Sequence, residues 1–286
     1  MAYVPNTTSP AIRALNRCLF TAGALFIVLW SIGPFLWQLS TAFQSNRDII
    51  GAVPRYLPFP GGTIEHFVNI FVAKRFQLYI INSLIVSSAT TVLCVALGTL
   101  AAYALARFDI RGRYGMLGTV LAISMFPHIT FVAALYLLMA DLHLLDTYRG
   151  LIIVYLAFGL PLVIWVMFGY FQAVPKEIEE AARIDGAGKI RTLVTIIMPM
   201  VAPGIVTVSL LSFIAAWNEF MFALALTSNI STQTIPVGIA NFQDIYYVPW
   251  GDIAAASVVV TAPLIVLVLV FQRRIIDGLT AGGVKE

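Results

Sequence analysis

Residues 174–200 read VPKEIEEAARIDGAGKIRTLVTIIMPM and separate two long apolar segments of the chain. The stretch begins beside a proline and carries three glutamates in its first turns, where the dipole of a helix favours anions. Gly186 follows Asp185 and is a suitable C-terminal stop for a short helix. A second run of apolar residues at helical spacing covers 190–197, and Pro199 ends it. The pattern predicts two short amphipathic helices joined at a glycine.

The first of these helices has a narrow apolar face. Ile178, Ala181 and Ala182 fall at positions i, i+3 and i+4, and we expect the alanines to form an exposed stripe that a partner can approach closely. A helix that rests on lipid headgroups is the alternative. Such helices combine Trp, Phe and Leu with Lys and Arg, whereas this one is acidic and rich in alanine. The composition favours a protein partner.

The composition of the whole chain is that of a membrane protein. Its 286 residues are 60% apolar and only 11% charged, with a mean hydropathy of +0.90. A soluble domain carries about 25% charged residues, and an apolar content this high excludes a disordered chain. The two cysteines lack metal-ligand spacing, which argues against a structural disulfide or a metal site. A net charge of +3 gives no footprint for nucleic acid.

Six segments are long and apolar enough to cross a bilayer, because a spanning helix needs about 20 apolar residues. The predicted fold class is therefore an all-α polytopic membrane protein with six transmembrane helices. The first span is interpreted as uncleaved, since no cleavage site follows it. The predicted spans are 18–40, 77–106, 116–140, 150–173, 201–226 and 251–272. The chain is thus divided into an N-terminal segment at 1–17, the first span, a loop at 41–76, a main transmembrane region at 77–272 that holds the other five spans, and a tail at 273–286.

The second predicted span is unusually rich in small and polar residues. Because small residues allow helix backbones to approach closely, we expect this span to lie inside the helix bundle. The residues in question are Ser83, Ser87, Ser88, Thr90, Thr91, Gly98 and Thr99.

The distribution of lysine and arginine predicts the orientation. With the N-terminus in the cytoplasm, 12 of the 17 basic residues fall in internal segments and 5 in external ones. Positive residues favour the cytoplasmic side of a membrane. Both termini and the 174–200 loop are therefore predicted to be cytoplasmic, and the loop at 41–76 is predicted to be external.

The 174–200 loop resembles a known sequence motif. Glu180-Ala181-Ala182, then Asp185-Gly186-Ala187, then Ile197-Met198-Pro199 is similar to the EAA loop of permease subunits from binding-protein-dependent ABC importers. Methionine replaces the usual leucine before the proline. Residues 212–226 and the chain ending further resemble the carbohydrate branch, in particular the shorter six-span subunit of maltose/trehalose-type importers.

This resemblance implies a type I importer permease fold in a bacterial inner membrane, and it implies partners. They are a second permease, a dimer of ATPase subunits that holds ATP-Mg, and an extracytoplasmic sugar-binding protein. The chain itself is expected to bind no cofactor. The tail residues Gly282 and Gly283 are expected to reach the ATPase dimer. The residues expected to couple to the ATPase are Glu180, Ala181, Ala182, Asp185, Gly186 and Pro199.

Polar residues at membrane depth are candidates for contact with substrate, since a carboxylate there is costly. Trp217, Asn218, Glu219 and Phe220 lie in the fifth predicted span. An amide and a carboxylate can bond to sugar hydroxyls, and a ring can stack on a pyranose. An interhelical hydrogen bond is an equally good interpretation of Asn218 and Glu219. Polar packing is the favoured interpretation of Asn82, and a hydrogen bond at a kink is favoured for His128. Asp252 is expected to cap a helix.

Sequence motifs for enzymatic activity are absent. The chain has no P-loop for ATP, no HExxH, no GxSxG and no clustered Cys and His. It is therefore expected not to be an enzyme and to draw energy from a partner. The runner-up function is an ion-coupled secondary transporter that uses Glu219, but this leaves the acidic loop without a role. A membrane anchor leaves the polar residues of span five unexplained. The expected substrate is a neutral α-glucoside such as trehalose or maltose.

Overall fold

The computed structural model describes residues 10–51, 56–59 and 61–281, with side chains from 14 to 272. Within these ranges every regular element is helical. The α-helices are α1 Pro10–Ala42, α2 Asn46–Ile50, α3 Glu65–Val72, α4 Phe76–Arg107, α5 Arg113–Ser124, α6 Val132–Asp141, α7 Tyr148–Ala173, α8 Lys176–Ile184, α9 Lys189–Thr192, α10 Met198–Met200, α11 Ala202–Trp217, α12 Met221–Leu226, α13 Ile235–Ala240 and α14 Trp250–Ala281. A 3-10 helix at His128–Phe131 precedes α6, and a π-helix at Leu193–Ile197 joins α9 to α10.

Four of these helices, α1, α4, α7 and α14, are each long and apolar enough to cross a membrane. Two further candidates are bent pairs. The segments Arg113–Ser124 and His128–Asp141 meet at 89°, and Lys189–Met200 meets Ala202–Trp217 at 77°. The described part of the chain therefore has up to six spans if each bent pair counts as one. The predicted third span is bent between Ser124 and His128, where Pro127 lies. The predicted fifth span begins at the second bend and is divided again between Trp217 and Met221.

The chain divides into two compact units. The first contains α1, α2, α3 and residues 248–259. Within it, His66 Nδ1 lies 2.8 Å from Asp252 Oδ1, and Asn69 donates a 2.6 Å hydrogen bond to the other carboxylate oxygen. His66 Nε2 lies 3.1 Å from the carbonyl oxygen of Gln44. The hydrogen bond to Asp252 raises the pKa of His66, although burial acts in the opposite direction. Asp252 thus joins the first turn of α14 to α3, a contact that the predicted capping role did not include.

The second unit is a bundle built around α4. This helix packs along α7 and also against α11. Its small and polar side chains are mostly buried, including Ser83, Ser87 and Thr99. Gly98 lies so close to Val163 that an added Cβ would collide with that side chain. The prediction that the second span lies inside the bundle is confirmed, and the reason is the close approach that small residues allow.

Candidate functional site

The predicted helix–glycine–helix loop is present. Helix α8 spans Lys176–Ile184 and begins after Pro175, with two glutamates in its first turn. Gly186 has a φ of +82°, a left-handed conformation that favours glycine. The amide of Ala187 donates to the carbonyl oxygen of Ala182 at 2.9 Å, and the amide of Gly186 donates to that of Arg183 at 3.1 Å. These bonds close the helix as a Schellman motif, so the predicted role of Gly186 as a stop is confirmed.

One face of α8 packs on its own chain. Ala182 is only 5% exposed, and Ile178 packs partly against the hydrophobic cluster that contains Val174, Leu193 and Ile197. The prediction that Ala181 and Ala182 share an exposed stripe is therefore wrong for Ala182. The two alanines differ by 100° around the helix axis, so the side that packs against the core includes only one of them. Within this chain, Ala182 is on the side of α8 that packs against the bundle, and Ala181 is exposed.

The opposite face of the loop is exposed and contains large apolar side chains that the sequence analysis missed. Glu180, Ala181 and Asp185 are exposed as expected. Ile184 is 87% exposed and Ile190 is 81% exposed, one on each side of the Gly186 turn. The available signal was the position of Ile184, three residues after Ala181 and so on the same side of the helix.

Helix α8 is also tied to the C-terminal end of α4 by polar contacts. Arg107 Nε lies 2.6 Å from Glu179 Oε1, and the two side chains are 5% and 16% exposed. Arg107 Nη2 donates to the carbonyl oxygen of Val174 at 2.8 Å. The Tyr103 hydroxyl lies 3.4 Å from the second carboxylate oxygen, and Lys189 Nζ lies 5.2 Å from the ring centroid of Phe108. The 174–200 loop is therefore fixed at one place on the bundle.

The second half of the loop continues further than predicted. The backbone stays helical from Lys189 to Met200 through a π-helical turn, so Pro199 lies within the helix and does not end it. The bend comes at Val201. Thr192 and Ile197 are buried, whereas Val194 is exposed. The π-helical turn changes the register, which explains why the predicted apolar face is divided between core and surface.

The four pathway candidates lie at a break in the helix of the fifth span. Helix α11 ends at Trp217 and α12 begins at Met221. Asn218 is exposed, and its side-chain amide donates back to the carbonyl oxygen of Ile214 at 2.8 Å. Glu219 is partly buried and accepts hydrogen bonds from the amides of Phe222 and Ala223, at 2.8 and 3.0 Å. The carboxylate therefore satisfies the free N-terminal amides of α12. It also interacts with the hydroxyl of Tyr155 on α7, which is the interhelical contact that one of the two sequence interpretations predicted.

The two rings beside this break have different surroundings. Trp217 is buried and stacks on Phe213, with ring centroids 5.5 Å apart. Phe220 is 40% exposed. Of the two predicted stacking rings, only Phe220 is accessible within this chain. His128 packs its ring against Phe158, at 4.7 Å between centroids, so aromatic contact holds it where a hydrogen bond at a kink was expected.

The N-terminal end of α4 holds the segment that follows α12. Asn82 donates to the carbonyl oxygens of Ile230 and Gln233, at 3.0 and 2.8 Å. Ser83 accepts a 2.8 Å hydrogen bond from the amide of Ile235 at the start of α13. The Tyr148 hydroxyl lies 2.7 Å from Asn82 Oδ1. The preference for polar packing at Asn82 is confirmed.

A second polar contact, at Asp146, holds the same segment. Its carboxylate accepts hydrogen bonds from the amides of Ser228 and Asn229, at 2.6 and 2.9 Å, and from the hydroxyls of Ser228 and Thr232. Burial acts to raise the pKa of Asp146, but these hydrogen bonds outweigh it and hold the pKa below its usual value. Residues 228–235 are therefore fixed by side chains from two separate parts of the second unit.

The remaining site predictions have simple outcomes. Gly282 and Gly283 lie outside the described residues. Helix α14 continues to Ala281, so the predicted tail begins as helix. In the ranges that the structure covers, no group of three or more His, Cys, Asp or Glu residues could hold a metal ion.

Known proteins are similar to this chain over almost its full length. Residues 94–280 match the family model described as the binding-protein-dependent transport system inner membrane component. The trehalose/maltose transport system permease protein MalG of Thermococcus litoralis is 40% identical over 276 residues, which cover 96% of this chain and 98% of that protein. The sulfoquinovosyl glycerol transport system permease protein SmoH of Agrobacterium fabrum is 33% identical, and the match covers 97% of this chain and 98% of that protein.

Solved structures show the same architecture. A chain of a bacterial ABC transporter involved in the import of the acidic polysaccharide alginate superposes with a TM-score of 0.78 at 23% identity, covering 93% of this chain and 98% of that one. The fold is thus the type I fold of ABC importer permeases. The chain belongs to the family of inner-membrane components of binding-protein-dependent transport systems and is a permease subunit of its sugar importers. It is a transport component and not itself an enzyme.

Proposed function

We propose that this chain forms the translocation pathway of an ATP-driven sugar importer together with a second permease, and that its 174–200 loop docks on a dimer of ATPase subunits that holds ATP-Mg. The observation that carries the proposal is the pair of exposed isoleucines on a loop that is otherwise fixed to the bundle. Ile184 and Ile190 flank the Gly186 turn with their side chains almost fully in solvent.

The chemistry of this face favours a protein partner. Burying an isoleucine side chain stabilises a complex by about 1.5–3 kcal/mol, so two such side chains at the tip of one loop provide an apolar anchor. Exposed side chains of both charges lie beside them, with Glu180 and Asp185 next to Arg183 and Lys189. A cleft with an apolar floor and a charged rim fits this face. In this proposal Ala181 allows the partner to approach closely and Gly186 forms the turn. Ala182 packs the helix against the bundle.

A second permease is supported by the first helix of the chain. The most apolar part of α1 has none of its residues buried. A helix of that kind is stable against lipid or against another transmembrane helix. The family match names a binding-protein-dependent system, which supports an extracytoplasmic binding protein as the third partner. The excess of basic residues at 1–17, 107–115, 174–200 and 273–286 supports cytoplasmic termini.

The proposed substrate is a neutral α-glucoside such as trehalose or maltose. The relative from Thermococcus litoralis is named for both sugars, while the relative from Agrobacterium fabrum is named for a sulfoquinovosyl glycerol. The break in span five carries an amide, a carboxylate and an accessible ring, at Asn218, Glu219 and Phe220. These groups suit a polyhydroxylated, uncharged ligand, and they include no cation for an anionic one. The family match gives no support to the ion-coupled alternative.

The test is transport by the reconstituted complex. The proteoliposomes contain this chain, the second permease, the ATPase and the binding protein. They should accumulate labelled trehalose or maltose only when ATP-Mg is present on the side of the membrane that the 174–200 loop faces. Fusions of a topology reporter after residues 110, 188 and 286 should report the cytoplasm, and those after 60 and 240 the outside. Uptake that follows a proton or sodium gradient without ATP would contradict the proposal.

A further inference from the structure

Helix α4 makes polar contacts at both of its ends. It is an uninterrupted helix of 32 residues without a proline, and at 1.5 Å per residue it is about 48 Å long. Its N-terminal end holds the 228–235 segment through Asn82 and Ser83. Its C-terminal end holds α8 through Arg107. One continuous helix therefore touches both the segment beyond the span-five break and the docking helix.

The contact at Arg107 has the features of a positioning element. The guanidinium group is paired with Glu179 and also donates to the backbone before α8. Because both side chains are largely buried, the pair fixes the distance and the angle between α4 and α8 more tightly than a surface pair would. Apolar side chains of similar size often stabilise a protein as well as a buried ion pair does. The presence of charges at this contact is therefore better explained by geometry than by stability.

We infer that Arg107 and Glu179 are positioning residues that transmit movement of the ATPase-docking helix to α4, and through α4 to the 228–235 segment. This inference rests on the proposed docking role of α8. A rigid helix held at both ends moves as a unit, so a displacement of α8 is carried along α4 and is not absorbed in the loop. Gly98, about two thirds of the way along α4, lies so close to Val163 of α7 that no Cβ fits between them, which keeps α4 in close contact with α7 at this point.

The experiment uses the complete importer in lipid nanodiscs and compares three variants. E179Q removes the charge of the pair, and the double variant R107E/E179R exchanges the two charges. E177Q is the matched control, since Glu177 is an exposed carboxylate in the same turn of the same helix. Three quantities are measured per mole of complex recovered: bound ATPase subunit, basal ATP hydrolysis, and hydrolysis stimulated by the binding protein loaded with trehalose or maltose.

We expect E179Q to keep the bound ATPase and the basal hydrolysis but to lose about tenfold in stimulated hydrolysis, which is the size of coupling seen between contacting side chains. The charge exchange should regain most of that loss, and E177Q should match the wild type. A purely structural role would change the yield of complex but not the stimulation per complex.

The opposite results are equally clear. If E179Q is stimulated as fully as E177Q, the pair is only a folding contact and the inference fails. If E179Q loses the ATPase subunit and the charge exchange does not restore it, Glu179 belongs to the docking surface, which preserves the proposed function but overturns the inference. If E179Q does not accumulate in the membrane, the test rests on the charge-exchange variant R107E/E179R. Stimulated ATP hydrolysis by that variant supports the inference, and the absence of stimulation contradicts it. Failure of wild-type complex to bind the ATPase at all would overturn the proposed function itself.

Discussion

Replacing Ile184 by alanine isolates the apolar part of the proposed docking contact. The side chain is 87% exposed in the permease, so its removal takes almost nothing from the packing of the chain. Substitutions at such positions change the free energy of unfolding by about 0.5 kcal/mol or less. The backbone of α8 is unaffected, because alanine is the best helix former.

The expected effect on docking is much larger. Ile184→Ala removes three carbon groups, and at about 0.8 kcal/mol for each buried group the complex loses about 2.4 kcal/mol. Since each 1.4 kcal/mol corresponds to tenfold in affinity, the dissociation constant for the ATPase should rise about 50-fold. This magnitude assumes that the partner buries the whole side chain, so it is an upper value for this single contact.

The assay is a titration of purified ATPase subunit onto the permease pair in nanodiscs, with sugar uptake measured in parallel. Ile245→Ala is the matched control, because Ile245 is 89% exposed. It lies between the predicted spans 201–226 and 251–272, which the predicted topology places on the side of the membrane opposite to the 174–200 loop. The control should bind the ATPase with wild-type affinity. Equal affinities for Ile184→Ala and the wild type would refute the apolar anchor, and an equal loss in Ile245→Ala would show that the measurement reports general instability.

Four further predictions follow from named contacts. Gly186→Val should weaken α8 by about 1–2 kcal/mol, because a Cβ disfavours its left-handed conformation, and stimulated hydrolysis should fall; unchanged hydrolysis would contradict the role of the turn. Ala182→Trp should reduce protease resistance of the permease by overpacking a buried site at a cost of about 1–3 kcal/mol, whereas Ala181→Trp should leave it folded and block ATPase binding; the reverse order would contradict the assignment of faces. Glu219→Gln should keep part of the uptake, while Glu219→Ala, which removes the acceptor for the amides of α12, should lose about 0.5–2 kcal/mol of local stability and most uptake; equal uptake in both would remove the capping role. Because the folded pKa of His66 is raised above 6.5, its stabilisation is complete below that value and is lost as the pH rises through the folded pKa; the melting temperature should therefore fall between about pH 6 and pH 8, and His66→Gln should abolish that part of the dependence.

Much of the fold could be predicted from the sequence because the bilayer restricts the possibilities. Runs of about 20 apolar residues determine where helices cross, and the structure has a long helix at four of the predicted positions and a bent or broken pair of helices at the other two. The composition of the second span predicted its buried location, because small and polar residues such as Ser83, Ser87 and Gly98 favour helix–helix contact over contact with lipid. The glycine stop at Gly186 was predictable because the physical requirement is local to one residue.

The orientation of α8 was harder to predict because its two possible apolar faces are of similar strength. Ile178 with Ala182 lines one side, and Ala181 with Ile184 lines the other. The sequence pattern does not say which side meets the bundle. The decision is made by residues distant in the sequence, above all by Arg107, which pairs with Glu179 and turns that side inward. The charge of Arg107, the last residue of α4, was therefore the missing information.

The break in span five shows a different limit. Residues 201–226 are apolar enough for one continuous helix, and hydropathy alone predicts one. The structure divides the segment at Asn218–Phe220, and the carboxylate of Glu219 takes the place of the missing helical partners for the amides of Phe222 and Ala223. An acidic residue within an apolar span is costly unless it satisfies such groups, so its presence is itself a sign that the helix is interrupted there. Non-helical backbone at membrane depth is tolerated where it lines a cavity or is buried in protein. Asn218 and Phe220 are exposed at this break, so the interruption remains a predicted position for a polar ligand to meet the bundle.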